Sequence, residues 1–316
     1  VDDDNAKKQG GVMERDRSFL WSVFRFAIVT FIVATIPLRS AAQPIEQAER
    51  VEQAEQAEQA RAIRQQGLDQ FKAGRYEEAV ESFTQALFLQ VDYADAQNDL
   101  GVAYGRLERF QDAVDAFTRA IKLRPGFSEA YYNLGTQYVK AGRYREAIEY
   151  LEEAIRQAPD YALAINNLGA AYLRTGRYQE AIVSFKRAIQ CDSNLVEAYY
   201  SMSIAQSELG RPKEAIDSLK KAIRISPRYV EAINSLGVLY ARLGKGREAF
   251  DAFQRAVQIR PDYAEARYNL GALSVARRQR AAAVEQYDRL KKLDQELAAQ
   301  LYLGIYQGMV LTLRNE

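Results

Sequence analysis

Asparagine and tyrosine recur in this chain at a fixed step. Asn98, Tyr132, Asn166, Tyr200, Asn234 and Tyr268 stand 34 residues apart, and the next positions hold Asp99, Asn133, Asn167, Ser201, Ser235 and Asn269. A carboxamide offers donors and an acceptor together, and a phenol adds a hydroxyl to a broad apolar ring. A row of such groups can hydrogen-bond the backbone of an extended peptide while the rings supply contact area. The same residues could instead bridge neighbouring helices, because polar groups at such junctions also need partners. Spacing alone leaves both readings open. A second row, Lys72, Arg106, Lys140, Arg174 and Arg242, would make a basic stripe, although cations near the end of a helix also offset its dipole.

This is the chemistry of recognition, and little else is on offer. The chain has no histidine, which removes the commonest metal ligand and the side chain most often used as acid or base near neutral pH. Its one cysteine, Cys191, can form neither an intrachain disulfide nor a cysteine zinc cluster. At the end of a second helix it is read as a small, partly buried side chain rather than a reactive thiol. The 43 basic and 42 acidic residues leave no charge excess for a polyanion, so nucleic acid is not expected as a partner. No catalytic, cofactor-binding or metal-binding residue is assigned, no cofactor is expected, and the chain is not expected to be an enzyme.

The elements that must position these rows follow from the same step. Anchored on Gly135, it meets Gly67, Gly101, Gly169, Ser203, Gly237 and Gly271, and twelve residues on it meets Ala79, Ala113, Ala147, Ala181, Ala215, Ala249 and Ala283. Four further come Phe83, Phe117, Leu151, Phe185, Leu219, Phe253 and Tyr287. A fixed period of this length marks stacked supersecondary units. Within a unit, Leu134, Tyr138, Ala147, Ile148, Leu151, Ala154 and Ile155 fall at three- and four-residue spacings on either side of Gly142-Arg143, as two amphipathic helices joined by a tight turn require. Gly135 and Ala147 are small enough to let the two backbones approach, with Leu151 and Tyr138 filling the space beside them. One such pair cannot bury its apolar face, so neighbours must stack.

The pattern Leu134-Gly135, Tyr138, Ala147, Leu151, Ala154, Pro159 resembles the tetratricopeptide repeat family. The resemblance implies an all-α fold, a right-handed α-α superhelix of helix pairs whose concave side, lined by first helices, binds peptides or proteins. It would place Asn98, Tyr132, Asn133, Asn166, Asn167, Tyr200, Asn234, Tyr268 and Asn269 in the groove, with Arg106, Lys140, Arg174 and Arg242 beside them. Chaperone-binding members use a carboxylate clamp of Lys, Asn and Arg residues. Leu68 and Val102 stand where that clamp needs asparagine, so this partner is not carried over.

Seven repeats are expected at 60–93, 94–127, 128–161, 162–195, 196–229, 230–263 and 264–293, then a capping helix and tail over 294–316, with Leu297, Leu301, Ile305 and Met309 on its apolar side. Asp92, Asp160, Asn194 and Asp262 are read as caps of the first helices, with Asp95, Glu197 and Glu265 as reciprocal carboxylates. Pro125, Pro159, Pro227 and Pro261 just before them stop the preceding helix, and Pro212 suits the first turn of a second helix. Residues 1–12 are expected to be a disordered leader. Residues 13–42 read as a signal peptide or N-terminal membrane anchor: Phe26 to Leu38 is 13 apolar-rich residues, and Pro37 with Ser40-Ala41-Ala42 suits cleavage before Gln43, while Phe19 to Leu38 could anchor. Residues 43–59 form a Glu/Gln/Ala-rich helical spacer.

The expected function is a non-catalytic scaffold for an extended peptide or partner protein, exported to the periplasm or the extracellular space, or held at a membrane by residues 19–38, its sole membrane contact if uncleaved. The alternatives are the repeat part of an O-linked N-acetylglucosamine-transferase-like enzyme without its catalytic domain, or an accessory subunit of a cell-envelope assembly or secretion machine.

Overall fold

Glycine, proline and the apolar period divide the chain into helices, and the computed structural model places first and second helices at that 34-residue step from Tyr76 to Leu290. It describes residues 38–308 and 311–314; the leader, and the signal or anchor segment up to residue 37, lie outside the described residues. Fifteen α-helices and no strand are found among those described. The chain divides into two compact units, one ending at Leu107 and one beginning at Glu108. The first holds α1 (Leu38–Lys72), α2 (Tyr76–Leu89) and α3 (Ala94–Arg106). The second holds α4 (Phe110–Leu123), α5 (Ser128–Lys140), α6 (Tyr144–Gln157), α7 (Ala162–Arg174), α8 (Tyr178–Cys191), α9 (Val196–Glu208), α10 (Pro212–Ile225), α11 (Val230–Arg242), α12 (Gly246–Ile259), α13 (Ala264–Ala276), α14 (Arg280–Leu290) and α15 (Gln295–Gln307). Odd-numbered helices from α3 to α13 are first helices and even-numbered ones are second helices, and each series starts every 34 residues.

The spacer is not a separate element. Nothing between Ile45 and Gln66 is glycine or proline, and Ala, Glu and Gln favour helix, so the Glu/Gln/Ala run passes without a break into the first helix of repeat one. Ser40-Ala41-Ala42 lies within this same helix. Burial, not a helix boundary, marks where the repeats begin: Ala60 is fully buried, whereas the side chains of 46–56 are exposed.

Each first helix stops at a residue in the left-handed region. In repeat three this is Gly142 at φ 73°, with the Arg143 N–H bonded to the Tyr138 carbonyl (2.9 Å) and the Gly142 N–H to Val139 (3.0 Å), which satisfies carbonyls that the helix leaves open. At the matching positions Glu108 (φ 58°) and Arg278 (φ 60°) adopt this conformation without glycine's freedom. Behind the turn, all seven registered alanines from Ala79 to Ala283 are fully buried. An atom added as Cβ at Gly135 would lie 2.7 Å from Leu151, and one at Gly169 would lie 2.8 Å from Phe185, so these glycines are where the two helices of a pair close up. Repeat seven departs from the rule: over Gly271 sits Leu301 of α15, so the capping helix supplies the large residue there while Tyr287 is half-buried. α15 ends at Gln307 with Gly308 at φ 67°; Met309 lies outside the described residues.

Two expectations are corrected. The first helices are not capped by Asp92, Asp160, Asn194 or Asp262, which sit one residue earlier in the tight turn. The N-cap positions are Tyr93, Phe127, Tyr161, Leu195, Tyr229 and Tyr263, none with a side-chain cap bond. The turn explains the offset: with Pro159 at its second position, the Tyr161 N–H bonds to the Ala158 carbonyl (3.1 Å), Asp160 is left at the turn's exposed third position, and the cap position goes to a packing residue. Asp95, Glu197 and Glu265 remain in the first turn, where the dipole favours them. The observed side-chain cap is Asp294 on α15, accepting from the Leu297 N–H at 2.9 Å. Cys191, expected to be partly buried, is exposed, because as the last residue of α8 it lies beyond the part of the helix that packs.

Candidate peptide groove

Successive first helices α11 and α13 pack side by side, which brings the fifth residue of one, Asn234, against the sixth of the next, Asn269. Asn269 Nδ2 donates to Asn234 Oδ1 at 2.9 Å, and both residues are fully buried. What buries them is the segment 311–314. Asn269 Oδ1 accepts from the backbone N–H of Arg314 (2.7 Å), Asn269 Nδ2 donates to the Arg314 carbonyl (2.6 Å), and Asn234 Nδ2 donates to that carbonyl as well (3.2 Å). Asn269 thus grips both polar groups of one residue's backbone, which reads the main chain and not the side chain. The Arg314 side chain turns away and donates from Nη2 to Gln300 Oε1 at 3.0 Å.

Apolar contacts seat the same segment. Leu311 and Leu313 pack on the cluster of Tyr268, Ala272, Leu290, Leu297, Ala298 and Leu301, and Leu313 also reaches the cluster of Val238, Ala249, Phe253 and Leu270. Leu311 lies directly on Gly304 of α15, where a Cβ would collide with it. Leu311 and Leu313 are half-buried, whereas Thr312 and Arg314 are exposed, the two-residue alternation of an extended strand laid on a surface.

The other sequence-singled residues are placed differently. Tyr268 is buried in the cluster that α15 and the leucines close, and burial raises its phenol pKa. Tyr132 packs its ring on Tyr161 (4.9 Å between centroids) and Tyr200 on Tyr229 (5.2 Å), so these rings join a first helix to the N-cap of the next first helix. Burial, reinforced by the nearby Tyr132 and Glu129, pushes the Tyr161 pKa up to about 12. Asn167 donates to Thr136 Oγ1 at 3.1 Å, a bridge from α7 to α5. Asn166 reaches Asn167 Oδ1 at 3.5 Å, and its own Oδ1 is buried with no hydrogen-bond partner. Asn133 is half-buried and makes interactions of its own. In the first unit Asn98 is buried, and Asp99 of the neighbouring row is held by Arg64 at 2.5 Å as a part-buried ion pair. Arg106, Lys140, Arg174 and Arg242 are exposed in the last turn of their helices, about 12 Å along the axis from the fifth position. The structure does not gather them at the asparagine pair, and their placement matches the helix-dipole role.

Residues 94–301, more than half of the chain, match the family model of the Cilia and flagella-associated protein 70 C-terminal domain, and residues 67–108 match a TPR repeat model. The chain belongs to this tetratricopeptide repeat (TPR) family. Among solved structures, a TPR protein from Parabacteroides merdae is similar at 17% identity and a TM-score of 0.60, over 77% of this chain and 96% of its own. PilF of Pseudomonas aeruginosa is similar at 19% identity and 0.58, over 65% and 96%. MamA is similar at 27% identity and 0.50, over 54% and 93%. No curated protein matches the sequence.

Within this TPR array the repeat pattern did not disclose one participant, the segment 311–314, because it lies outside the period. Its signal is short: a helix-stopping Gly308, then leucines two residues apart. Among the described residues no group of three His, Cys, Asp or Glu side chains could hold a metal ion, and no helix is long and apolar enough to cross a membrane.

Proposed function

We propose that this TPR protein is a non-catalytic interaction module that holds an extended peptide or partner segment against its first helices, gripping the partner's main chain through asparagine carboxamides. The observation that carries the reading is the grip of Asn269 on both the N–H and the carbonyl of Arg314, since a main chain held in this way is the chemistry of a peptide site. Sequence-tolerant affinity would come from the carboxamides, and selectivity from the apolar surface that receives alternate side chains. Export, or tethering through residues 19–38, belongs to the proposal and rests on the apolar run and the small residues after Pro37.

Calorimetry with a synthetic peptide of sequence 308–316 tests the site in the Arg314→Pro chain, whose own segment lacks the N–H that Asn269 accepts. Binding is expected, and it should be abolished by N-methylation of the peptide's arginine amide or by adding Asn269→Ala. A peptide that fails to bind, or binds equally well when N-methylated, would end the main-chain reading.

A further inference from the structure

We propose that the segment 311–314 is a resident competitor for the groove, so that the site accepts in trans only an extended segment carrying two leucine-like residues at i and i+2 ahead of the gripped residue. The inference rests on the peptide-binding reading and adds to it both a ligand pattern and a self-blocked state.

Three observations converge. The two backbone groups that a bound peptide would present to Asn234 and Asn269 are supplied by Arg314, so one site cannot hold both at once. The receiving surface takes side chains at alternate positions: Leu311 sits on Gly304, where no larger residue fits, and Leu313 lies between the clusters around Leu301 and Phe253. A peptide that alternates polar and apolar residues satisfies this surface in one register, because a slip of one residue would turn both leucines to solvent. Gln300 adds a preference at the gripped position, since its carboxamide oxygen accepts from the Arg314 guanidinium at 3.0 Å.

The connection also favours self-occupation. α15 ends at Gln307, so three residues separate the helix from Leu311. A segment on so short a tether is present at an effective concentration on the order of millimolar, and any competitor meets that handicap. The apparent dissociation constant of an outside peptide is its intrinsic value divided by the fraction of chains whose groove is open. A partner therefore succeeds by making contacts beyond the four residues that the segment supplies.

The experiment compares the full wild-type chain with two full-length variants that release the segment in different ways, using the 308–316 peptide as probe. Arg314→Pro removes the gripped N–H and leaves the leucines; Leu311→Asp with Leu313→Asp removes the apolar seat and leaves the backbone. Amide exchange over α11 and α13 checks that the first helices stay folded in each. Both variants should bind the peptide at least roughly ten-fold more tightly than wild type, as the open fraction rises. A probe with both leucines replaced by serine should bind neither. Equal affinity for wild type and both variants would overturn the self-blocked state while leaving the peptide site intact. Absence of binding to all three chains would instead remove the peptide-binding reading itself. If the serine probe binds as well as the leucine probe, the ligand pattern is wrong.

Discussion

Two junctions between first helices draw asparagines from the same two rows and use them to different ends. Between α5 and α7 the carboxamides are structural: Asn167 bridges to Thr136, and Asn166 keeps a buried Oδ1 without a partner. Between α11 and α13 the carboxamides of Asn234 and Asn269 meet each other and together hold a main chain. The difference lies in pairing across repeats. A grip of this kind uses an asparagine at the fifth position of one first helix and another at the sixth position of the next; at the position matching Asn269, Asn166 is followed by Ser201. At these two junctions, the lone carboxamide of Asn167 is a strut, and the pair Asn234 and Asn269 makes a grip.

The comparison breaks if the array is one cooperative body. Phe185 is fully buried over Gly169, and Phe185→Ala should cost about 3–5 kcal/mol. In a chain whose stability is a sum of repeats and interfaces, amide exchange should rise through α7, α8 and their neighbours while the Arg314 N–H stays protected by Asn269. Loss of protection at Arg314 in step with α7 would show that the two junctions are not independent.

Alkaline titration should weaken the fold around α7, where Tyr161 is the N-cap and Tyr172 lies in the last turn. Tyr161 and Tyr172 both have pKa values pushed up to about 12 from 10.0; burial is the main cause in each, and Tyr172 also donates to Glu152 at 2.7 Å. A phenol with a raised folded-state pKa stabilises the fold fully below pH 10 and loses that contribution as pH climbs to about 12. The slope over this window is roughly 1.4 kcal/mol per pH unit for each tyrosine. Denaturation followed between pH 9 and 12 should steepen accordingly, and Tyr172→Phe should remove part of the slope.

A smaller effect is expected at the turns. Arg278 occupies the left-handed conformation that glycine supplies at Gly142 and Gly176, so Arg278→Gly should stabilise the chain by about 1 kcal/mol. An unchanged melting temperature would mean that the Arg278 side chain makes a compensating contact. The smallest stability change, within about 0.5 kcal/mol, is expected for half-buried Ser201→Asn. It should nevertheless sharpen the comparison by giving Asn166 a carboxamide neighbour in the register of Asn234 and Asn269, and so a further place for a main chain. A binding event in calorimetry with a longer peptide beyond those of the wild-type chain would register it; a stoichiometry unchanged from wild type would show that paired carboxamides are not sufficient.

Much of this molecule was legible because a tandem array states its rule several times. The alanines from Ala79 to Ala283 announced a helix crossing, and the glycines around Gly135 announced a close approach; both are dictated by local volume, which side-chain size reports directly. The caps were misplaced because Asp160 and its counterparts carry a capping side chain one residue too early, and the position was decided by Pro159 and the turn it sets. Tyr268 shared its row with Tyr132 and Tyr200, yet it is sealed under α15 and the leucines, since the last repeat has no following first helix and another element covers it.

By itself, the sequence determined the all-α repeat architecture, its 34-residue register and the rows of residues that each helix carries, because period and side-chain size are local properties that every repeat restates. Tertiary structure alone decided that Asn234 and Asn269 meet across their junction, and that the segment 311–314 lies on them and completes the grip. Those outcomes depend on distances between residues such as Asn234, Asn269 and Arg314, which are 35 to 80 positions apart and brought together only when the helices stack.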